Sequence, residues 1–183
     1  MLADESVEAV FKFSRAEITE HDDKVKHIFI DIEDEESIKQ ATESLPEDTK
    51  FDLIFVATGI LHDEKNVFPE KSIKDISFDK LIKVLTINTI GPTLVGKYFI
   101  PYLRKDSKST FAFLSARVGS ISDNKLGGWY SYRASKTALN QIIRNFSIEV
   151  ARSNKNAIFI GLQPGTVKSC LLYTSPSPRD SCA

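Results

Sequence analysis

The sequence predicts an α/β domain of three layers, a parallel sheet held between two layers of helices. Three observations carry that prediction. Strand-length apolar runs alternate with helix-length amphipathic segments along the chain. The runs are continuous rather than alternating in polarity, as strands buried on both faces are. Gly, Pro and short polar clusters punctuate their ends.

The elements follow in order. Val7–Phe13 (VEAVFKF) is a first strand, ending at Ser14-Arg15, and His27–Ile32 (HIFIDI) is a second. Glu33–Leu45 reads as a helix: Ile38, Ala41 and Leu45 recur at helical spacing, acidic residues crowd its first turn, and Pro46 marks its end. Phe51–Ala57 (FDLIFVA) is a third strand, closing at Thr58-Gly59. A polar loop over 60–77 leads into a long helix, Phe78–Arg104, interrupted at Gly91-Pro92 and Pro101. Thr110–Leu114 (TFAFL) is a fourth strand, followed by a Gly/Ser-rich loop over 115–128. Trp129–Arg152 is a second long helix, with Ala138, Ile142, Phe146 and Val150 as its apolar stripe. Ala157–Leu162 (AIFIGL) is a fifth strand, stopped by Pro164-Gly165.

The 183 residues suit one domain with a sizeable core. A net charge of −1, from 24 basic and 25 acidic residues, gives no reason to expect a nucleic-acid or anionic membrane surface. No apolar run approaches the roughly 18 residues of a membrane span. The start, Met1-Leu2-Ala3-Asp4-Glu5-Ser6, lacks the basic and apolar regions of a signal peptide, so a cytoplasmic protein is expected. Cys170 and Cys182 are spaced too widely for a C-x-x-C pair, and no metal site is expected. Both cysteines sit in a tail, residues 170–183, that resembles the translation of a sequencing adapter. The expected division is therefore a partial domain over 1–169 and a non-native tail over 170–183. All eight glycines lie at Gly59 or later.

Tyr132-Arg133-Ala134-Ser135-Lys136 is the segment that carries chemistry. On a helix, i and i+4 side chains share a face. A phenol with an ordinary pKa of about 10 is a poor proton donor and acceptor near neutrality, and a neighbouring ammonium lowers that value. The pair is thus a physical route to a general acid and base. Alone it is a common coincidence of two frequent residue types; its surroundings make it specific.

Ser115–Leu139 (SARVGSISDNKLGGWYSYRASKTAL) resembles the strand-loop-helix that carries the active site of the short-chain dehydrogenase/reductase family. Thr58-Gly59 resembles the end of that family's Asn-Asn-Ala-Gly motif. Asn88 in Ile87-Asn88-Thr89 matches its mid-helix asparagine, and Pro164-Gly165-Thr166-Val167 its Pro-Gly motif. Asp31 matches the acidic residue beside the adenine. The stretch GGWYSYRASK is of the kind found in C-factor-like and Sniffer-like carbonyl reductases. The resemblance runs from about Val7 to Ser169.

The resemblance implies a Rossmann-like, doubly wound sheet and a nicotinamide-dependent oxidoreductase acting on a small carbonyl or alcohol substrate. Tyr132 would exchange a proton with the substrate oxygen. Lys136 would depress the Tyr132 pKa and hydrogen-bond the nicotinamide ribose. Asn88 would hold a water linking Lys136 to solvent. The family's substrate-orienting serine falls at Ala116 here, so Ser120 and Ser115 are both candidates, Ser120 the stronger. Ser14-Arg15 at the end of the first strand points to NADP, because an Arg accommodates the 2′-phosphate, with NAD the alternative. Ser14, Arg15, Asp31, Gly59, Tyr132, Lys136, Pro164, Gly165 and Val167 are the implied cofactor contacts. A homodimer or homotetramer is implied by resemblance alone.

The family's glycine-rich phosphate loop has no counterpart before Gly59. Val7–Phe13 and His27–Ile32 then correspond to the family's second and third strands, and its first strand and C-terminal elements are expected to be missing. In the order 3-2-1-4-5-6 the first strand is central. A gap in the sheet or a non-native pairing is expected at that place, and this stretch by itself is expected to be inactive. The alternative is a non-catalytic nucleotide-binding or signalling protein of the same fold.

Overall fold

The computed structural model describes residues 4–16, 22–62 and 67–164. The tail over 170–183 with both cysteines, Met1–Ala3, Gly165 and Val167 lie outside the described residues. Among the described residues five strands form, all parallel. β1 (Val10–Ser14) pairs with β2 (Val25–Phe29), Val10 opposite Val25 and Ser14 opposite Phe29. β3 (Leu53–Val56) lies beside β4 (Ser109–Leu114), and β4 beside β5 (Ala157–Leu162). This is the parallel α/β class that the sequence predicts.

The sheet is in two pieces. Among the described residues no ladder joins the β1–β2 pair to the β3–β4–β5 sheet. The halves are held through the core instead: the Phe11 ring packs edge-on against Phe51 at 5.5 Å, and Phe13 against Phe99 at 5.0 Å. This is the expected gap, at the expected place.

Four strands differ in extent from the sequence expectation: β3 is shorter, Leu53–Val56 against Phe51–Ala57, and β4 starts one residue earlier, at Ser109. β1 starts at Val10 rather than Val7, because the Val7 N–H turns back to the Asp4 carbonyl at 3.1 Å. β2 ends at Phe29 rather than Ile32, because its partner runs out: Ile30 N reaches the Ser14 carbonyl at 3.4 Å, and β1 ends there. Asp31 consequently lies just beyond β2.

Helix α1 (Glu35–Glu43) starts where the Asp34 side chain accepts the Glu36 N–H, and buries Ile38 and Ala41. α2 (Phe78–Leu85) is capped by Ser77. The break expected at Gly91-Pro92 is a π turn over Thr86–Ile90 that runs straight into α3 (Gly91–Phe99). Pro92 has no N–H for the Asn88 carbonyl, which accounts for a departure from α geometry just before it. Helix α4 (Tyr130–Val150) buries Ser131, Ser135, Lys136, Leu139 and Ile143. The stripe expected at Ala138, Ile142 and Val150 is only half-buried. Periodicity misses the true face because that face carries a lysine and two serines.

α1 packs on α3, and α2 and α3 pack on α4. Phe111 and Phe113 of β4 stack towards α4 with Phe159 and Phe146. Side chains alternate along strands, so Leu53, Phe55, Ile158 and Leu162 share the opposite face, where they are exposed. The described residues therefore supply the sheet and one helix layer. None of the described helices is long and apolar enough to cross a membrane, and no group of three or more His, Cys, Asp or Glu among the described residues could hold a metal.

Candidate active site

The carboxyl ends of β3 and β4 and the first turns of α4 converge on one place. Tyr132 and Lys136 lie one turn apart on α4, facing inward as the i, i+4 spacing requires. Lys136 is 1% exposed. Its Nζ donates to the Leu114 carbonyl at the end of β4 at 2.8 Å and sits over the Tyr132 ring, 5.8 Å from the centroid. Trp129 packs edge-on against the other residue of the pair, with ring centroids 6.2 Å apart.

Burial dominates the electrostatics here. It pushes the Tyr132 phenol above its ordinary value and the Lys136 ammonium down to about 8. The depression of Tyr132 by Lys136 that the resemblance implies is not present in this arrangement. The ammonium serves a carbonyl and the ring face, so desolvation of the phenol is not offset.

Asn88 reaches the site from the π turn and is fully buried. Its Oδ1 accepts the Ile60 N–H at 2.7 Å, and its Nδ2 donates to the Ile60 carbonyl at 2.9 Å and to Ser135 Oγ at 3.0 Å. Thr89 Oγ1 donates to the Ser135 carbonyl at 2.8 Å. The π turn thus ties the segment after β3 to α4. The amide of Asn88 is committed to protein partners.

The two candidate serines differ. Ser115 is buried and donates to Asn140 Oδ1 at 2.6 Å. Ser120 is half-buried, 3.3 Å from Ser122 Oγ, and accepts the Asp123 N–H at 3.3 Å. The loop that carries it is pinned to α4: Arg133 Nε donates to the Gly128 carbonyl at 3.1 Å, and Thr137 Oγ1 to the Gly119 carbonyl at 2.8 Å. Neither serine has a hydrogen bond to Tyr132 among those found.

Ser14 ends β1, and its Oγ lies 2.7 Å from His27 Nε2. Arg15 is 65% exposed and faces Asp31 at 3.7 Å and Glu33 at 3.9 Å. Its charge is held at the carboxyl mouth of the β1–β2 pair, where ligands bind in open α/β sheets. Pro164 follows β5 and is exposed.

Two observations bear on whether a dinucleotide fits between these groups. A Cβ on Gly59 would lie 3.2 Å from Lys136 Nζ and 3.3 Å from Asn88 Oδ1, so the backbone there is bare where those groups converge. The Thr58 hydroxyl is buried with no hydrogen-bond partner, the one such side-chain atom among the described residues. Buried hydroxyls are ordinarily paired. A polar ligand lying along Thr58-Gly59 supplies the missing partner, and the residues present fit one.

Sequence reasoning missed Thr58 as a site residue, and it missed Glu70. Glu70 is 2% exposed, and its carboxylate accepts from both the backbone N–H (3.3 Å) and the hydroxyl of Ser131, next to Tyr132. The sequence shows only that α4 starts without a capping side chain of its own, as Gly127-Gly128-Trp129-Tyr130; it does not point to Glu70.

Comparison with known proteins gives a consistent result. The family described as short chain dehydrogenase matches residues 2–178. The chain is 28% identical over 148 residues to 1-hydroxy-2-glutathionyl-2-methyl-3-butene dehydrogenase of Rhodococcus sp. (strain AD45), covering 80% of this chain and 61% of that protein. It is 32% identical over 98 residues to C-signal of Myxococcus xanthus, covering 54% of this chain and 58% of that protein. Among solved structures, a short-chain dehydrogenase/reductase from Burkholderia multivorans with bound NADP superposes with a TM-score of 0.73 at 26% identity, covering 86% of this chain and 65% of that one. The chain thus spans about three fifths of the length of these curated relatives.

Proposed function

The chain belongs to the short-chain dehydrogenase family, and on that premise we propose that the whole protein is an NADP(H)-dependent oxidoreductase of the carbonyl reductase type. Tyr132 is its general acid and base. The observation that carries the reading is a buried lysine ammonium over the ring of a half-buried tyrosine, with no carboxylate ion-paired to it among the described residues.

Bound nicotinamide supplies the hydride in one direction and accepts it in the other. The chain's own residues handle the proton. The Tyr132 hydroxyl donates to the carbonyl oxygen as that oxygen becomes an alcohol, and the reverse reaction returns the proton to the phenolate. Lys136, poised near pH 8 by burial, holds a proton at Nζ close to working pH, one helical turn from the phenolate left behind. Ser120 orients the substrate oxygen, since Ser115 is committed to Asn140. Asn88 fixes the floor of the site; its amide being engaged, its main-chain carbonyl is the group left to hold a relay water.

Arg15 takes the 2′-phosphate, in competition with Asp31 and Glu33. Ser14 and Asp31 line the adenosine end, Thr58 and Gly59 the middle, and Tyr132 and Lys136 the nicotinamide end. Pro164, Gly165 and Val167 complete it by resemblance.

The test is oxidation of NADPH by the whole protein with a panel of aliphatic and aromatic aldehydes and ketones. Turnover of at least one carbonyl supports the reading. Tight NADPH binding with no turnover of any carbonyl or alcohol overturns it in favour of a nucleotide-binding protein of the same fold.

A further inference from the structure

Helix α4 begins in an unusual way. Gly127, Gly128 and Trp129 are consecutive residues with positive φ, at 65°, 64° and 51°. Glycine adopts that region freely, but tryptophan does so only under strain. Trp129 is the N-cap residue and makes no side-chain cap bond. The usual device for satisfying the first N–H groups of a helix is therefore missing, three residues before Tyr132.

Glu70 replaces it from 61 residues away in the chain. Its main-chain carbonyl accepts the Trp129 N–H at 2.5 Å. Its carboxylate accepts the Ser131 N–H at 3.3 Å and the Ser131 hydroxyl. One residue thus grips both sides of the strained position, through main chain and side chain. A buried carboxylate is expensive unless it is fully hydrogen-bonded, and the positive end of a helix suits it. Strained residues persist only where their surroundings over-determine them.

We propose that Glu70 is a positioning residue: it clamps the left-handed entry of α4 and so sets the direction of Tyr132 and the packing of Trp129 against it. Trp129 packs edge-on against the Tyr132 ring, with centroids 6.2 Å apart. The inference rests on the reading of Tyr132 as the proton-transfer group, yet the clamp itself is measurable without any reaction.

Trp129 is the only tryptophan of the chain, so its fluorescence reports this position alone. The experiment compares wild type with Glu70→Ala, Glu70→Gln and Ser131→Ala, reading acrylamide quenching of Trp129 and helicity by circular dichroism. Glu70→Ala is expected to raise the quenching constant about threefold at unchanged helicity, with Glu70→Gln intermediate because its amide oxygen still accepts. In the whole enzyme kcat should fall about tenfold or more with the NADPH KM unchanged, and Glu70→Gln should restore part of it. Should Glu70→Ala lose helicity, Ser131→Ala is read instead, and a raised quenching constant supports the clamp. Quenching unchanged in Glu70→Ala, or in Ser131→Ala where that variant is read, overturns it. Loss of NADPH affinity in place of kcat also overturns it. Full turnover by Tyr132→Phe overturns the reading of the reaction and leaves the fluorescence result to decide the clamp.

Discussion

The Lys136 ammonium lies over the Tyr132 ring, 5.8 Å from its centroid, and donates to the Leu114 carbonyl rather than to the phenol oxygen. The pair is therefore held together by shared burial, and each group is pushed towards its neutral form.

That has a consequence for stability against pH. Lys136 titrates near 8 when folded and near its ordinary value of 10.5 when unfolded, so between those values the unfolded chain binds more protons. Its contribution makes stability rise with pH through that window. The melting temperature of wild type relative to Lys136→Met should climb as pH is raised from about 7.5 to about 10. A difference that stays flat contradicts the buried ammonium.

Asn88 is a structural tie as well as a proposed site residue. Asn88→Ala takes the side-chain partner from the half-buried Ile60 N–H and carbonyl, while the Ser135 hydroxyl keeps its bond to the Tyr132 carbonyl. It should cost about 2–4 kcal/mol in urea unfolding, from the desolvation of the groups left unpaired. A loss below about 1 kcal/mol would show that water replaces the amide.

The close approach of α3 to α4 can be tested at Gly96. A Cβ there would lie 2.5 Å from the Phe146 ring. Gly96→Ala gains about 1 kcal/mol of helix propensity but overpacks the core by about 1–3 kcal/mol. Denaturant titration should show a net loss; a more stable variant would mean the helices can separate freely.

Much of this was legible in the sequence. Continuous apolar runs such as FDLIFVA and AIFIGL identify buried parallel strands, and the Tyr-x-x-x-Lys spacing brings Tyr132 and Lys136 to one helix face. The lack of glycine before Gly59 marks the place where the sheet is open. Three things were not legible. The buried face of α4 is polar at Ser131, Ser135 and Lys136, so hydrophobic periodicity is one residue out of phase with it. Asn88 meets Ile60 and Ser135 only because a π turn aims it, and no local pattern encodes that aim. Glu70 caps α4 across 61 residues of chain, which only the tertiary structure reveals.

The charge at the mouth of β1–β2 is the proposed source of a preference for NADP(H). Arg15→Ala removes the cation that faces Asp31 and Glu33, and Glu33 keeps its ion pair with Lys83 at 2.8 Å. In the whole enzyme it should raise the KM for NADPH about tenfold or more, leaving that for NADH within about twofold. Equal effects on both cofactors would show that Arg15 serves the β1–β2 pair and not the 2′-phosphate.

The claim that the rest depends on is proton transfer at the Tyr132 hydroxyl. Its most direct test is single-turnover reduction of one accepted carbonyl by the NADPH-loaded whole enzyme, wild type against Tyr132→Phe. Removing the hydroxyl should slow the step by roughly 10²–10⁴-fold, with NADPH affinity unchanged. A Tyr132→Phe enzyme that reduces the carbonyl at the wild-type rate contradicts the account.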